Sequence, residues 1–286
     1  MDRTHFFESS SIIAQMLRPY ELFANIIVND KEVVEWFTEI ASQLLNRTSL
    51  LVCGKPHRLV ELEFYYYNEA HPDPFAHRHP LQLTWGRWYF HRQRDNYRGG
   101  SFKGLDLTFG DNTAFGGILI RSLEAADGTL IDGPSLCVDH LLAQAEVSQV
   151  GELDQAIDAR VAWDSNSPLV LEETTIEQRQ IFDSARVGLS LKRVHSYPNM
   201  PQYLLRPYRY LTEPQRIRKG KLYLVLALHL QQVSQEVIHQ LTGCSRKTIE
   251  RYILDFETGC QEKDLVSYFG RDLKPKDLCL LHGILK

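Results

Sequence analysis

The pattern of apolar and polar positions divides the chain into a strand-rich body and a helical tail. Leu59 to Phe64 alternates apolar and acidic residues. A period of two predicts a half-buried strand, with Glu61 and Glu63 on one face. Leu105–Phe109 and Gly116–Leu123 read as further strands, the second interrupted by one charge, Arg121. A guanidinium inside an apolar run is costly unless paired. A carboxylate such as Glu63 on a neighbouring strand, or a substrate phosphate, is therefore expected beside it. Helical spacing predicts a helix over 6–20, with Ile12, Ile13, Met16 and Leu17 as its stripe, and another over 31–46, carrying Val33, Phe37, Ile40 and Leu44. Gly133-Pro134-Ser135 suits the start of a helix running through Val138 and Leu142. Arg186–Leu191 reads as a strand and 203–211 as an aromatic, basic segment.

From Thr212 the pattern changes. A polar, basic stretch reads as a linker and is followed by three short helical segments: Leu222–Gln231, Gln235–Leu241, and one from Ser245 to about Phe256. Ser234 and Ser245 are placed to cap the second and third, and Thr242-Gly243-Cys244 makes a turn in which glycine takes a left-handed conformation. A helix, a glycine-containing turn and a capped helix form the helix-turn-helix pattern, with Arg246, Lys247 and Arg251 on the exposed face of its second helix. The expected organisation is α+β: a mixed β-sheet core with surrounding helices over 1–215, and a small all-α helix-turn-helix domain over 216–286.

Composition narrows the class. An apolar fraction of 43% and a charged fraction of 24% are those of a globular protein. The longest apolar candidate, Leu222–Leu230, is 9 residues, short of a membrane span. The opening MDRTHFFESS carries no apolar signal region. The five cysteines are scattered and lack a CxxC spacing, which suits reduced thiols rather than disulfides or a zinc site. These features predict an intracellular protein, cytoplasmic or nuclear, with no membrane association. The net charge of −4 hides a strong segregation. Residues 87–103 hold five Lys/Arg against one Asp, 186–221 hold nine against one Glu, and 124–185 hold thirteen Asp/Glu against two Arg. Two basic blocks offer a face for phosphates while the global charge stays acidic.

The candidate chemistry lies around 58–79. Three tyrosines, Tyr65 to Tyr67, follow the acidic strand, and then a proline-broken loop carries His71, Asp73, His77 and His79. A carboxylate beside aromatic rings and imidazoles suits acid/base chemistry on a flat, stackable substrate. Residues 81–100 interleave rings with guanidinium groups, as base stacking and phosphate contact require; Arg87 and Arg98 there, and Lys103 just beyond, are the expected phosphate contacts. The histidine spacing also allows a metal-dependent hydrolase, although three histidines on a proline-broken loop are a weak metal signature.

Several segments resemble, in order, the mammalian-type alkyladenine (3-methyladenine) DNA glycosylases. FFESSSIIAQML resembles that family's first helix. VELEFYYY with DPFAHRHP resembles its catalytic strand and loop, V-E-T-E-A-Y and D-x-A-A-H. ILIRSLEAADG, GPSLCVDHL, and RVGL followed by YLLRPYRYL resemble its later motifs. The matches span about residues 5–211 and leave the tail outside. The resemblance implies a glycosylase-like fold and a monofunctional enzyme that flips a damaged or modified base and hydrolyses its glycosidic bond. It makes Glu63 the general base for water, Arg121 its orienting partner, and Tyr65 and His77 the groups that hold the base. Asp106 falls where the family has a base-discriminating asparagine. The family's wedge tyrosine has no clear counterpart in YRGGSFKGLDLTFG, and neither Tyr97 nor Phe102 is assigned that role. DNA is the implied partner, with no obligate protein partner, and the resemblance further implies that no metal or cofactor is needed. The alternative is a non-catalytic DNA-binding regulator whose pocket holds a ligand.

Overall fold

The computed structural model describes Gln15, residues 30–175 and residues 177–286; the expected 6–20 helix lies outside the described residues apart from Gln15. Helix α1 spans Asp30–Asn46. Strands β1 (Thr48–Val52) and β2 (Lys55–Tyr67) follow, then β3 (Trp85–Phe90), the short pair β4 (Arg92–Gln93) and β5 (Asn96–Tyr97), β6 (Leu105–Phe109), β7 (Phe115–Ala125) and β8 (Leu130–Asp132). Helices α2 (Pro134–Gln144) and α3 (Val150–Ile157) lead to β9 (Leu169–Glu173) and β10 (Phe182–Ser184). Helix α4 (Met200–Leu204) precedes β11 (Arg209–Leu211). The tail holds α5 (Lys221–Leu230), α6 (Gln235–Thr242), α7 (Arg246–Gln261) and α8 (Pro275–Ile284).

The main sheet has nine strands, with the path β10-β11-β2-β7-β6-β3 and with β1, β9 and β8 added at its sides. The α+β class is as expected. The sheet itself is not mixed as expected: every pairing among its described strands is antiparallel. The long β2–β7 pair forms its axis, and it carries an irregularity between Leu59 and Leu62. That bulge changes the face on which side chains emerge. Leu59, Leu62, Phe64 and Tyr66 all join the principal core, whereas Val60 joins a second cluster on the other side. Glu61, Glu63 and Tyr65 alternate with the core residues and so leave the opposite face.

Helix α1 covers the first face. Its Val33, Phe37, Ile40 and Leu44 are buried, as an apolar stripe at this spacing requires. The Phe37 ring stacks on Phe64 at 4.6 Å, and Trp36 stands edge-on to Tyr66 at 5.5 Å.

The tail covers part of the other face. Leu224, Val225 and Leu228 of α5 share a buried cluster with Val60, Phe182 and Leu211 of the sheet. Ile217, within the stretch that read as a linker, is buried in the same cluster. Arg209 donates to the carbonyls of Lys219 and Gly220, which ties this connection to the sheet. Ser234 and Ser245 cap α6 and α7 by accepting from Val237 and Thr248, and Gly243 is left-handed at φ 67°.

One expected strand is corrected. Residues 186–191 form no strand; the strand lies upstream at Phe182–Ser184. Val187 gives its N–H to the Glu63 side chain rather than to a ladder, and Gly188 turns the chain at φ 83°. The segment is therefore irregular where a strand would have paired.

Candidate functional site

The acidic face of β2 is fully buried and is neutralised by arginines from neighbouring strands. Glu61 Oε1 accepts from Arg121 Nε at 3.0 Å and from Arg209 Nε at 2.6 Å, and its Oε2 accepts from the Ser122 hydroxyl at 2.8 Å. Burial works to raise the pKa of Glu61, but Arg209, Arg121 and Ser122 outweigh it and hold the carboxyl below its ordinary value. Arg121 also reaches Glu63, Nε to Oε1, at 3.4 Å. Burial works against its charge, but Glu63 and Glu61 outweigh that cost and raise its pKa. The partner expected for Arg121 is thus present, and it is shared between two carboxyl groups.

Glu63 has different surroundings. Its Oε1 accepts the Val187 N–H at 2.6 Å, and its Oε2 accepts the Tyr65 hydroxyl at 2.8 Å. Burial, helped by Glu63, pushes the Tyr65 phenol well above its usual range, so Tyr65 stays a donor. Arg186 lies across the Tyr65 ring at 4.6 Å and is itself held by Asp73 at 2.6 Å and by the carbonyls of Phe64 and Tyr203. Asp73 thereby folds the 71–79 loop onto the strand.

Tyr65 and Val187 line a cavity of about 670 Å³. Glu63 is buried directly behind these two residues. His77 stands on the cavity wall, with its ring 4.3 Å from that of His91. Burial, reinforced by His91, lowers the pKa of His77 to about 4. Asp106 also lines the cavity. Its Oδ1 accepts from His91 at 2.7 Å and its Oδ2 from Gln82 at 2.9 Å. Gly117 makes room for this pair, since a Cβ there would come within 2.5 Å of Gln82 and 2.6 Å of Asp106. Four cations, Arg78, Arg98, Lys192 and Arg193, line the same cavity.

The structure brings Glu63, Arg121, Tyr65, His77, Asp106 and Arg98 to this one region. Lys103 is paired with Asp139, and Arg87 is not among the residues lining the cavity. In the tail, Arg246 pairs with Glu236 at 2.5 Å, Arg251 lies over Tyr252, and Lys247 is exposed. The three loop histidines diverge. His71 is buried among Tyr66, Tyr203 and Tyr208, His77 faces the cavity, and His79 caps the turn at 80–83. Among the described residues no cluster of three or more His, Cys, Asp or Glu side chains is arranged to hold a metal ion, and all five cysteines are free. Among them too, no helix is long and apolar enough to cross a membrane.

Sequence reasoning missed Arg209, His91, Gln82, Arg78, Lys192 and Arg193 as members of the site. Arg209 carried a usable signal, a charge between aromatic and apolar neighbours in YLLRPYRYL, which is the same signal that drew attention to Arg121. His91 and Gln82 carried none, because their role depends on the register of β3 and β6.

Fold and site together define an α+β protein in which a buried carboxyl–guanidinium network lies behind a cation-lined cavity. No protein-family model matches the chain. The chain belongs to one family with Uncharacterized protein L759 of Acanthamoeba polyphaga mimivirus, to which it is 33% identical over 205 residues, 65% of this chain and 90% of that protein.

Proposed function

We propose that the protein is a monofunctional DNA N-glycosylase that takes a damaged or modified base into the cavity and hydrolyses its glycosidic bond. The observation that carries this reading is Glu63. It is a buried carboxyl group held by Arg121, and its other two partners, Tyr65 and Val187, are themselves cavity walls. A duplex hides its glycosidic bond, so the nucleotide must leave the stack and enter an aromatic pocket. Tyr65, fixed from behind by Arg186, supplies the stacking surface. His77, neutral at physiological pH, and Asp106 offer hydrogen bonds to the base edge. Arg78, Arg98, Lys192 and Arg193 suit the flanking phosphates.

Water enters between Tyr65 and Val187, and Glu63 takes its proton. The new C–O bond forms at the sugar carbon as the bond to the base nitrogen breaks, and the base leaves with that electron pair. Glu63 also stabilises the positive charge that develops on the sugar. The tail, read as a helix-turn-helix, places Arg246, Lys247 and Arg251 on the DNA backbone and base edges. An intracellular site of action follows from this substrate.

A second reading has its own observation. Both oxygens of Glu63 are already engaged and the residue is fully buried. That arrangement also suits a non-catalytic DNA-binding regulator whose pocket receives a ligand. Base release from oligonucleotides carrying methylated, deaminated or hypermodified bases, single- and double-stranded, separates the two. Release that falls roughly 10²- to 10⁴-fold in Glu63→Gln supports the enzyme. No release from any substrate, with tight DNA binding that depends on Arg246 and Lys247, supports the regulator.

A further inference from the structure

We propose that a second cavity, built by the hairpin of β4 and β5 and the turn after it, is a nucleotide subsite for the residue next to the extruded one. This rests on the reading of the first cavity as a nucleotide pocket. The second cavity has a volume of about 600 Å³ and is walled by Arg94, Asn96, Tyr97, Arg98 and Phe102 among others. Arg98 lines both cavities, so one guanidinium stands where the phosphate joining two adjacent nucleotides would run.

The two rings of this cavity differ in kind. Tyr97 is a fixed wall. Its hydroxyl donates to Asp154 at 2.7 Å and accepts from Arg92 at 2.9 Å, and the Arg92 guanidinium lies 4.4 Å over its ring. Phe102 is 71% exposed, the most exposed large apolar side chain among the described residues. An uncovered ring beside a cleft suits stacking by a nucleobase.

The charges follow the same division. Among the described residues no carboxylate forms an ion pair with Arg94 or Arg98, whereas Arg92 and Lys103 are neutralised by Asp154 and Asp139. Arg94 sits in the two-residue loop of the hairpin with a left-handed backbone, φ 56°, and lines the cavity. Arg98 gives its Nε–H to the Arg92 carbonyl at 3.4 Å, which positions the guanidinium without neutralising it. A planar ring with a phosphate on one side, meaning an unpaired nucleotide, matches one uncovered ring beside two cations that no carboxylate neutralises. A duplex step does not match it, because its bases are already stacked on both faces.

Binding of the full chain to thymidine 5′-monophosphate and to the 5′-phosphorylated thymidine dinucleotide, followed by NMR titration, tests this. The dinucleotide is expected to bind more tightly by about 5- to 150-fold, the worth of one stacked base. Phe102→Ala is expected to remove most of that gain and to leave mononucleotide affinity unchanged. Arg94→Asn, which keeps the left-handed turn accessible, is expected to reduce it. Tyr65→Ala, in the first cavity, is expected to weaken both ligands. No gain from the second nucleotide, or a gain that Phe102→Ala and Arg94→Asn both leave intact, overturns the proposal. Base release plays no part in this test, so a dinucleotide gain without any glycosylase activity would keep the subsite and remove the enzymatic reading.

Discussion

Glu61 and Glu63 are neighbours on one strand face, and their surroundings differ. Glu61→Gln is the perturbation that separates them. Glu61 is buried and accepts from Arg121, Arg209 and Ser122 at 2.6 to 3.0 Å. Glutamine keeps the shape but removes the charge and turns one acceptor into a donor. Arg121 then keeps only Glu63, at 3.4 Å, as a carboxylate partner, and Arg209 is left with the Ser184 hydroxyl and the carbonyls of Lys219 and Gly220. Breaking a buried ion pair by removing one partner costs about 3–5 kcal/mol. In a chain of this size that corresponds to a fall in Tm on the order of 10 °C. Urea unfolding should show a lower midpoint at unchanged slope, which marks a change in stability rather than in compactness. Arg209→Met should restore part of the loss in the double variant, with a coupling of at least about 1 kcal/mol, because it removes the stranded charge. A loss below about 1 kcal/mol in Glu61→Gln, or strict additivity with Arg209→Met, would refute the network as a shared buried charge system. Glu63→Gln also removes a buried carboxylate from Arg121 and from the Val187 and Tyr65 donors, so it should lower the midpoint too, and base release by that variant is to be compared at equal folded fraction.

Acid should destabilise the protein in a defined window. His282 is buried with its Nε2 unpartnered, and burial lowers its pKa to about 4; His77 also lies at about 4. The unfolded chain binds these protons near pH 6.5 and the folded chain does not, so stability should fall by about 1.4 kcal/mol per pH unit for each histidine between pH 6.5 and 4. His282→Met should remove one of the two slopes in urea midpoints taken at pH 7, 6 and 5; an unchanged slope would count against the burial argument. Glu61 acts lower on the scale, its contribution being present above the unfolded carboxyl value and lost as pH falls through its depressed folded value. Gly117→Ala should disturb Asp106 and Gln82 and weaken nucleotide binding in the first cavity, measured by titration; full affinity would show that the Cβ is accommodated. A chain ending before Lys221 should lose cooperative unfolding or aggregate, because Phe182 and Leu211 lose their cover from α5; a soluble fragment melting like the full chain would contradict the shared core. Lys247→Gln should reduce the slope of log affinity against log salt for DNA by about 0.9 if that residue contacts one phosphate, and an unchanged slope would remove it from the interface.

The strands and helices of body and tail were legible where periodicity or capping was strong. The α1 stripe, β6, β7 and the capped α6 and α7 follow from spacing and from Ser234, Gly243 and Ser245. The bulge in β2 was not legible. Val60 and Glu61 look like any other step of an alternating pattern, and only the pairing with β7 shows that Leu59 and Leu62 share a face. The Arg186–Leu191 strand failed for a related reason. Its residues have strand propensity, but the Val187 N–H satisfies Glu63, and a backbone donor used on a side chain is lost to a ladder. Long-range polar demand overrode local preference there.

The same competition accounts for the cost of the site. A sheet that buries two carboxyl groups on its face must import their counter-charges, and the sequence spreads these over strands far apart along the chain. Arg121 comes from β7 and Arg209 from β11, while Arg186 follows β10 and holds Asp73. Each lies beside apolar or aromatic neighbours, where desolvation is expensive unless the partner is close. An arrangement that is no more stable than an apolar core of equal volume needs another reason to exist. Glu61 uses both guanidinium groups and the Ser122 hydroxyl, which leaves Arg121 oriented but only loosely engaged with Glu63, 3.4 Å against 3.0 Å. Glu61 is in this sense the anchored end of the network, holding Arg121, and Glu63 is the end joined to the cavity walls through Tyr65 and Val187.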